Sequence, residues 1–154
     1  MDHDAIADVV TDYMAAWNEA DASLRQALLR QCWSDDGVYV DPNVSLAGRA
    51  ALDRHIAKVQ SGRPGARLEF MSGIDAHHNL VRFLWRLVRA DGTCGDTSID
   101  FGEFGPDGRL VKIAGFFGPA RPRPPDEGER PAFSQLPPVL RHVMTPLKVR
   151  RGAE

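Results

Sequence analysis

At the SGRPG segment of residues 61–65 the hydrophobic period of this chain changes from mainly helical to alternating, and that change limits the folds open to it. Before this segment, apolar residues recur at helical spacing over residues 4–18, from residue 21 or 23 onward, and again near residues 48–60. After it, four long alternating runs cover residues 66–77, 79–90, 94–104 and 109–117, with short turn signals between them. The pattern predicts an α+β fold in which three helices precede a curved antiparallel sheet.

One short β-like run interrupts the helical part of the chain. Val38, Tyr39 and Val40 favour a strand, and Pro42 ends it because proline donates no ladder hydrogen bond and keeps the preceding residue extended. The polar residues 34–37 are expected to end the second helix before this strand begins. Asp41 is therefore predicted to lie at a strand end.

Composition and charge exclude several classes of function. The formal net charge of -2 comes from interspersed acids and bases, so we expect no nucleic-acid surface, and no apolar run approaches the roughly 18 residues of a membrane span, so we expect no membrane contact. The N-terminus lacks a secretory signal pattern, and Cys32 and Cys94 form no CxxC pair, which favours a cytoplasmic protein. No HxH or HExxH spacing occurs, so no metal is expected, and no cofactor is predicted.

The C-terminal part of the chain differs in composition. Residues 119–154 hold eight of the eleven prolines and end in a basic stretch, and such a segment cannot build a core alone. We predict one domain over residues 1–118, followed by a proline-rich arm over residues 119–154. The arm is either a flexible tail or a segment that docks on its own body or on a partner subunit.

Three residues far apart in the chain are candidates for a proton-transfer site. Tyr13 lies on the apolar stripe of the first helix, Asp41 at the predicted strand end, and Asp100 between Ile99 and Phe101 on a predicted strand. Each also has a purely structural interpretation. Tyr13 would be a core tyrosine, Asp41 a turn residue that caps backbone groups, and Asp100 part of a solvated strand face.

The segments YMAAWNEAD, VYVDP and SIDFGEFGPDGRLVKIAGFFG give the chain a family resemblance. Over residues 4–118 it resembles the nuclear-transport-factor-2-like superfamily, which includes SnoaL-like polyketide cyclases and ketosteroid isomerases. The resemblance implies a cone-shaped α+β barrel, in which a strongly bent sheet wraps three helices around a deep apolar pocket. It also implies a cofactor-independent isomerase or cyclase, with Asp41 as general base, Tyr13 as oxyanion donor and Asp100 as a protonated acid.

The wall of that pocket is expected to bind a small, largely apolar carbonyl compound. The candidate substrate-binding residues are aromatic, basic or imidazole side chains: Trp17, Trp33, His55, Trp85, Arg86 and Phe116. His55 has the alternative of an ordinary helix-flank histidine. Arg82 and Arg86 share one phase of a predicted strand, and an apolar steroid would be doubtful if that phase faced the pocket.

Two other functions remain open at this point. Relatives that resemble limonene-epoxide hydrolase activate water with an Asp-Arg-Asp set, part of which Asp100 and an inward Arg86 would provide. A non-catalytic ligand-binding or scaffold module is the third possibility, favoured if side chains or the arm fill the pocket. Apolar residues in both phases of the strand, such as Leu84 and Trp85, predict a homodimer built on the outer face of the sheet.

Overall fold

The computed structural model describes residues 2–124. Most of the arm predicted for residues 119–154 therefore lies outside the described residues. Met1–Ala120 forms one compact unit, and the elements below all belong to it.

Three helices come first, as the sequence predicts. Helix α1 spans His3–Asn18 and begins where the Asp2 carboxylate accepts a hydrogen bond from the Ala5 backbone N–H. Helix α2 spans Ala22–Cys32 behind the same kind of cap at Asp21. Helix α3 spans Arg49–Gly62 and begins after Gly48, whose φ of 92° is a conformation that favours glycine.

Seven strands form one curved sheet that does not close into a complete barrel. Their bounds are β1 Trp33–Val40, β2 Ser45–Ala47, β3 Arg67–Phe70, β4 Asp75–His77, β5 Leu80–Val88, β6 Ser98–Phe104 and β7 Leu110–Phe116. The strand order is β2-β1-β7-β6-β5-β3, and β4 pairs with β5 beside β3.

The sheet is mixed, which corrects the prediction of a purely antiparallel one. Strands β1 and β7 pair in parallel, whereas the other pairs are antiparallel. Hairpin turns impose antiparallel pairing only on strands that are close in sequence. Strands β1 and β7 are joined through all the intervening elements, so no turn between them sets their relative direction.

Strand β1 is longer than the short run predicted from the sequence. It begins at Trp33, directly after α2, and includes the polar residues 34–37 that were expected to be a stop signal. The register between β1 and β7 shifts between Trp33 and Val38, so an irregularity in the ladder accommodates these residues. Gly37 fits there because a Cβ atom at this position would lie 2.6 Å from the Trp33 indole nitrogen.

The run predicted over residues 66–77 is split into β3 and β4. The break contains Ser72 and Gly73, and the Ser72 hydroxyl accepts a hydrogen bond from the Leu84 backbone N–H at 2.8 Å. A side chain thus replaces a backbone partner at the point where the strand bends. The predicted run over residues 94–104 is also shortened, because β6 begins at Ser98.

The helices pack on the inner face of the sheet and enclose the core with it. The core is built from apolar residues of α1, α2, α3 and the inward phases of the strands, including Val10, Leu29, Trp33, Leu52, Ile56, Phe83 and Ile113. Arg25 of α2 is buried and forms an ion pair with Asp53 of α3 at 2.6 Å, while its guanidinium also donates to the Glu19 carbonyl after α1. The three helices are therefore held in a fixed arrangement against the sheet. Within residues 2–124, no helix has the length and apolar character needed to cross a membrane.

Candidate active site

A cavity opens between the helices and the inner face of the sheet. Water-sized molecules can occupy about 110 Å³ of it, which is room for several waters. Its lining includes the three candidate residues Tyr13, Asp41 and Asp100. Residues that are separated by up to 87 positions in the chain therefore meet at one solvent-reachable site.

Asp41 is held in one orientation by the turn that joins β1 to β2. Its Oδ1 atom accepts hydrogen bonds from the backbone N–H groups of Asn43 at 2.7 Å and Val44 at 3.0 Å. Its Oδ2 atom accepts a hydrogen bond from the Tyr39 hydroxyl at 2.9 Å. The side chain is only 4% exposed, and because Oδ2 has one further lone pair, Asp41 can still accept a proton from a bound molecule.

Asp100 faces the interior from the middle of β6. It is 5% exposed, and its Oδ1 atom accepts a hydrogen bond from the Trp85 indole N–H at 2.9 Å. Burial raises the pKa of Asp100 to about 6, the negative charge of Asp41 adds to this shift, and the indole hydrogen bond opposes it. The solvated-face interpretation is wrong, since Ser98 and Asp100 lie on the buried phase of the strand.

Tyr13 brings an unused hydroxyl to the site. The residue is 1% exposed, its ring stacks on Trp33 at a centroid distance of 5.8 Å, and its hydroxyl has no hydrogen-bond partner among the described residues. Burial and the nearby Asp100 carboxylate raise the pKa of Tyr13 well above its ordinary value, and the Trp17 indole, which is near the hydroxyl but not in hydrogen-bonding geometry, opposes the shift, so the hydroxyl stays protonated. A buried polar group without a partner is costly, and a bound ligand oxygen would satisfy it.

Gly115 keeps the space between the two aspartates open. It is the register partner of Asp100 on β7, and Asp41 follows Val40, which pairs with Ala114. A Cβ atom at position 115 would lie 2.9 Å from Asp100 Oδ1 and 3.8 Å from Asp41 Cβ. Strands β6 and β1 therefore carry the two carboxyl groups on either side of β7, and Gly115 of β7 leaves a gap between them where a side chain would otherwise stand.

Aromatic rings and an imidazole form the wall around these groups. Trp17 lies one helical turn after Tyr13 on α1, and His55 of α3 packs against both Trp17 and Tyr39 at centroid distances of 5.9 and 5.8 Å. His55 Nε2 lies 4.0 Å from Asp41 Oδ2. Burial lowers the pKa of His55 despite the opposing effect of Asp41, so the imidazole is neutral at neutral pH.

Three of the predicted wall residues lie away from the cavity, and their assignment is corrected. Trp33 is fully buried behind Tyr13 and does not line the cavity. Arg86 is on the outer phase of β5 and pairs with Glu69, and Phe116 is on the outer face and 60% exposed. Because the Arg82 and Arg86 phase faces outward, these arginines do not place charge in the pocket.

Two aromatic lining residues were missed from the sequence, in addition to the polar and aliphatic residues of the lining. Tyr39 shares the strand phase of Asp41, two positions earlier, and that spacing could have identified it. Phe117 lines the cavity in place of Phe116 and contacts Trp85 at a centroid distance of 5.6 Å. Since both phenylalanines are apolar and β7 ends between them, no sequence signal distinguishes the inward residue.

In the part of the chain that the structure describes, no group of three or more His, Cys, Asp or Glu side chains could hold a metal ion. Cys32 is buried, Cys94 is exposed, and both are free thiols. The chemically useful groups of the cavity are therefore one hydrogen-bonded carboxylate, one carboxyl group with a raised pKa, two tyrosine hydroxyls and a neutral imidazole. Such a set can take a proton from a carbon atom and donate hydrogen bonds to an oxygen.

Solved structures with this architecture place the chain in a fold class. A polyketide cyclase candidate from Sinorhizobium meliloti is 16% identical with a TM-score of 0.58, over 70% of this chain and 93% of that chain. A de novo designed protein with a curved β-sheet is also 16% identical, with a TM-score of 0.62, over 77% of this chain and 89% of that chain. At this identity the likeness is one of fold, that of the nuclear-transport-factor-2-like proteins.

A more similar structure narrows the class to a family. A candidate isomerase of the SnoaL-like family from Agrobacterium tumefaciens str. C58 is 30% identical with a TM-score of 0.71, over 75% of this chain and 98% of that chain. This chain belongs to the SnoaL-like family of the nuclear-transport-factor-2-like superfamily. No family model matches the chain, and no curated protein matches it.

Proposed function

We propose that this protein is a cofactor-independent enzyme that moves a proton next to a carbonyl group, as an isomerase or a cyclase of an apolar carbonyl compound. One observation carries the proposal: Tyr13, Asp41 and Asp100 meet in a single cavity, where one carboxyl group has a raised pKa and one hydroxyl has no partner among the described residues. The isomerase name of the SnoaL-like relative from Agrobacterium is in line with this chemistry.

The proposed reaction begins with proton abstraction. Asp41 Oδ2 takes a proton from the carbon next to the substrate carbonyl, and the electron pair of the broken C–H bond moves to the carbonyl oxygen. The hydroxyl of Tyr13 and the protonated carboxyl of Asp100 donate hydrogen bonds to the resulting enolate oxygen. The Asp41 carboxylic acid then returns the proton to another carbon, which gives the isomer. Alternatively, the enolate carbon attacks a second carbonyl carbon of the same molecule and closes a ring; the π electrons of that carbonyl move to its oxygen, which takes the proton from Asp41.

The hydrogen bond from the Trp85 indole determines which oxygen of Asp100 carries the proton and can donate a hydrogen bond. The indole N–H occupies Oδ1, so the proton of the neutral acid resides on Oδ2. Since the pKa of Asp100 is about 6, the donor form increases as the pH falls through 6 and decreases above it. Negative charge that develops on a ligand oxygen beside this carboxyl favours the protonated form further. Ketosteroid isomerase is a known enzyme that combines an aspartate general base with a protonated aspartic acid in this way.

The experiment is the isomerisation of an activated β,γ-unsaturated ketone, followed by the ultraviolet absorbance of the conjugated product. We expect Asp41→Asn to reduce turnover by more than about a hundredfold, since general-base catalysis contributes this much, with little effect on fold or ligand affinity. Asp8→Asn, at an exposed position of α1, is the matched control and should retain full activity. A fully active Asp41→Asn protein would overturn the assignment of the base.

A non-catalytic ligand-binding protein is the other outcome of this experiment. Binding of apolar ketones in the cavity without turnover of any of them would support it. An epoxide-hydrolase-like function would require an arginine that binds an aspartate of the cavity. Arg86 does not meet this requirement, because it pairs with Glu69 and not with a carboxylate of the cavity.

We also propose that the protein is a homodimer through the outer face of its sheet. Phe101 and Phe116 are 44% and 60% exposed there, and their rings contact each other at a centroid distance of 6.3 Å. Ile99 pairs with Phe116 in the ladder and extends the same apolar surface. A second copy of this face would remove these side chains from water.

A further inference from the structure

The charged residues that line the cavity are separated by sign. The carboxyl groups of Asp41 and Asp100 are buried within it. The two cations of the lining, Arg63 and Arg67, are both exposed and form part of its rim. Arg63 lies directly after α3 and Arg67 is the first residue of β3. In the turn between them, the Ala66 N–H donates a hydrogen bond to the Arg63 carbonyl.

Helix α3 lines the cavity from the site of proton transfer to the rim, so its length gives the distance between them. His55, Val59 and Arg63 follow at intervals of four residues, and all three line the cavity. At 1.5 Å of rise per residue, the eight residues from His55 to Arg63 span about 12 Å along the helix axis. His55 stands beside Asp41, so the rim cation lies about this far from the site of proton transfer.

Other polar side chains of the lining near this end already have partners. The Asn18 amide both accepts from and donates to the backbone of Leu68, at 2.8 Å in each case. The Gln60 amide donates to the carbonyls of Trp17 and Glu19. These hydrogen bonds hold α1 against β3 and α3. Because both amides are already occupied, the rim arginines are the donors near this end that can bind a ligand.

The two rim arginines are not neutralised by the protein itself. Among the described residues, no carboxylate forms an ion pair with Arg63. Arg67 shares the outer phase of β3 with Glu69 and contacts it at 3.3 Å, but its side chain is 60% exposed at the edge of the cavity, and Glu69 also pairs with Arg86. Glu69 is therefore shared between Arg67 and Arg86 and cannot neutralise both. The part of the rim that Arg63 and Arg67 form keeps a net positive charge.

We propose that the ligand of this cavity is an elongated apolar carbonyl compound that carries a carboxylate at the end remote from the reacting carbonyl. The carbonyl oxygen lies by Tyr13 and Asp100, the apolar middle lies against the aromatic wall, and Arg63 and Arg67 bind the carboxylate. This inference rests on the proposed function for the position of the carbonyl group. It adds the charge and the length of the substrate, which the proton-transfer chemistry does not require.

Four probes test the inference by binding alone. The long pair is 4′-acetylbiphenyl-4-carboxylate and the corresponding carboxamide, which has the same shape without the charge. The short pair is 4-acetylbenzoate and its carboxamide, in which the acid lies too close to the ketone to reach Arg63. Dissociation constants are measured by calorimetry, with quenching of Trp17 and Trp85 fluorescence as a report of binding in the cavity.

We expect the wild-type protein to bind the long carboxylate about five- to tenfold more tightly than the long carboxamide, as charge-assisted hydrogen bonds at a partly exposed site allow. The preference should fall as salt is added and should be absent from the short pair. Arg63→Gln with Arg67→Gln should remove it without weakening the carboxamide. Arg82→Gln, an exposed arginine of the outer face paired with Asp75, is the control and should keep the preference.

The outcomes separate this inference from the proposed function. Tyr13→Phe should weaken the long carboxylate and the long carboxamide equally, because both present the same ketone. Equal binding of the long pair by the wild type, or a preference that survives the double substitution, would overturn the charge inference while the ketone isomerisation experiment still stands. Failure of all four probes to bind would also overturn it. Arg63 would then serve only as a cation at the C-terminal end of α3, where the helix dipole favours one.

Discussion

The two faces of strand β6 reverse the usual distribution of polar and apolar residues over residues 98–101. On the inner face, Ser98 and Asp100 are each 5% exposed, beneath the helices. On the outer face, Phe101 is 44% exposed. Burying a carboxyl group costs stability and leaving a phenylalanine in water forfeits it, so neither face is arranged for the stability of an isolated domain. This distribution is what we expect if the inner face serves the proposed proton transfer and the outer face the proposed contact with a second subunit.

The largest expected effect that separates the two faces is on turnover. We expect Tyr13→Phe and Asp100→Ala each to slow isomerisation of the activated ketone by about a hundredfold, because each removes one oxyanion donor and leaves the other. Arg82→Gln on the outer face should leave the rate unchanged. Initial rates at pH 5.5 for the three variants make the comparison. Rates equal to the wild type for both inner variants would remove the functional distinction between the faces.

The next effect is on folding stability and depends on pH. A folded-state pKa of about 6 for Asp100, above its ordinary value of 3.8, means that the folded state holds the proton more tightly. The contribution of Asp100 to the stability of the wild type should therefore fall as the pH rises from 3.8 to 6, and the loss should remain above that range.

Asp100→Asn should remove this pH dependence, because the amide keeps the hydrogen bond from Trp85 and carries no charge. We expect the variant to be more stable than the wild type by about 2–3 kcal/mol at pH 7.5 and nearly equal to it below pH 3.8. Urea unfolding at several pH values measures the difference. A variant that is less stable than the wild type at pH 7.5 would contradict a desolvation cost at this site.

A smaller effect concerns association through the outer face. Phe101→Glu should raise the dissociation constant of the homodimer at least about tenfold, because it places a charge in the apolar patch. Leu24→Glu is the control, since Leu24 is 56% exposed on α2, away from the sheet. Sedimentation equilibrium across micromolar concentrations distinguishes the variants. A wild-type protein that is monomeric throughout would leave the outer face without its proposed partner.

Helix α1 and the position of Asp41 show what the sequence can predict. An apolar stripe at helical spacing predicts α1 and turns Tyr13 inward, while Pro42 predicts the end of β1 just before Asp41. Both follow from backbone chemistry within a few residues. The alternation of polar and apolar residues around Asp100 was equally clear, but it could not identify which phase faces the helices.

The wrong predictions of Arg86 and Phe116 as cavity residues both fall on strands that have apolar residues in both phases. Around β5 and β7, either phase could form the core, and only packing against the helices selects Trp85 over Arg86 and Phe117 over Phe116. The parallel pairing of β1 with β7 likewise depends on contacts between distant segments. These features are tertiary, so a local pattern contains no information on them.

The central claim is that Asp100 is a desolvated acid inside a catalytic cavity, and its own titration tests this most directly. Carboxyl-carbon NMR of the protein would follow each aspartate from pH 3 to pH 8. The account predicts that Asp100 titrates near pH 6, and that Asp41→Asn lowers this midpoint because the Asp41 charge contributes to the raised pKa. An ordinary midpoint near pH 4 for Asp100 would contradict the account, since a carboxylate that ionises normally cannot serve as an oxyanion donor.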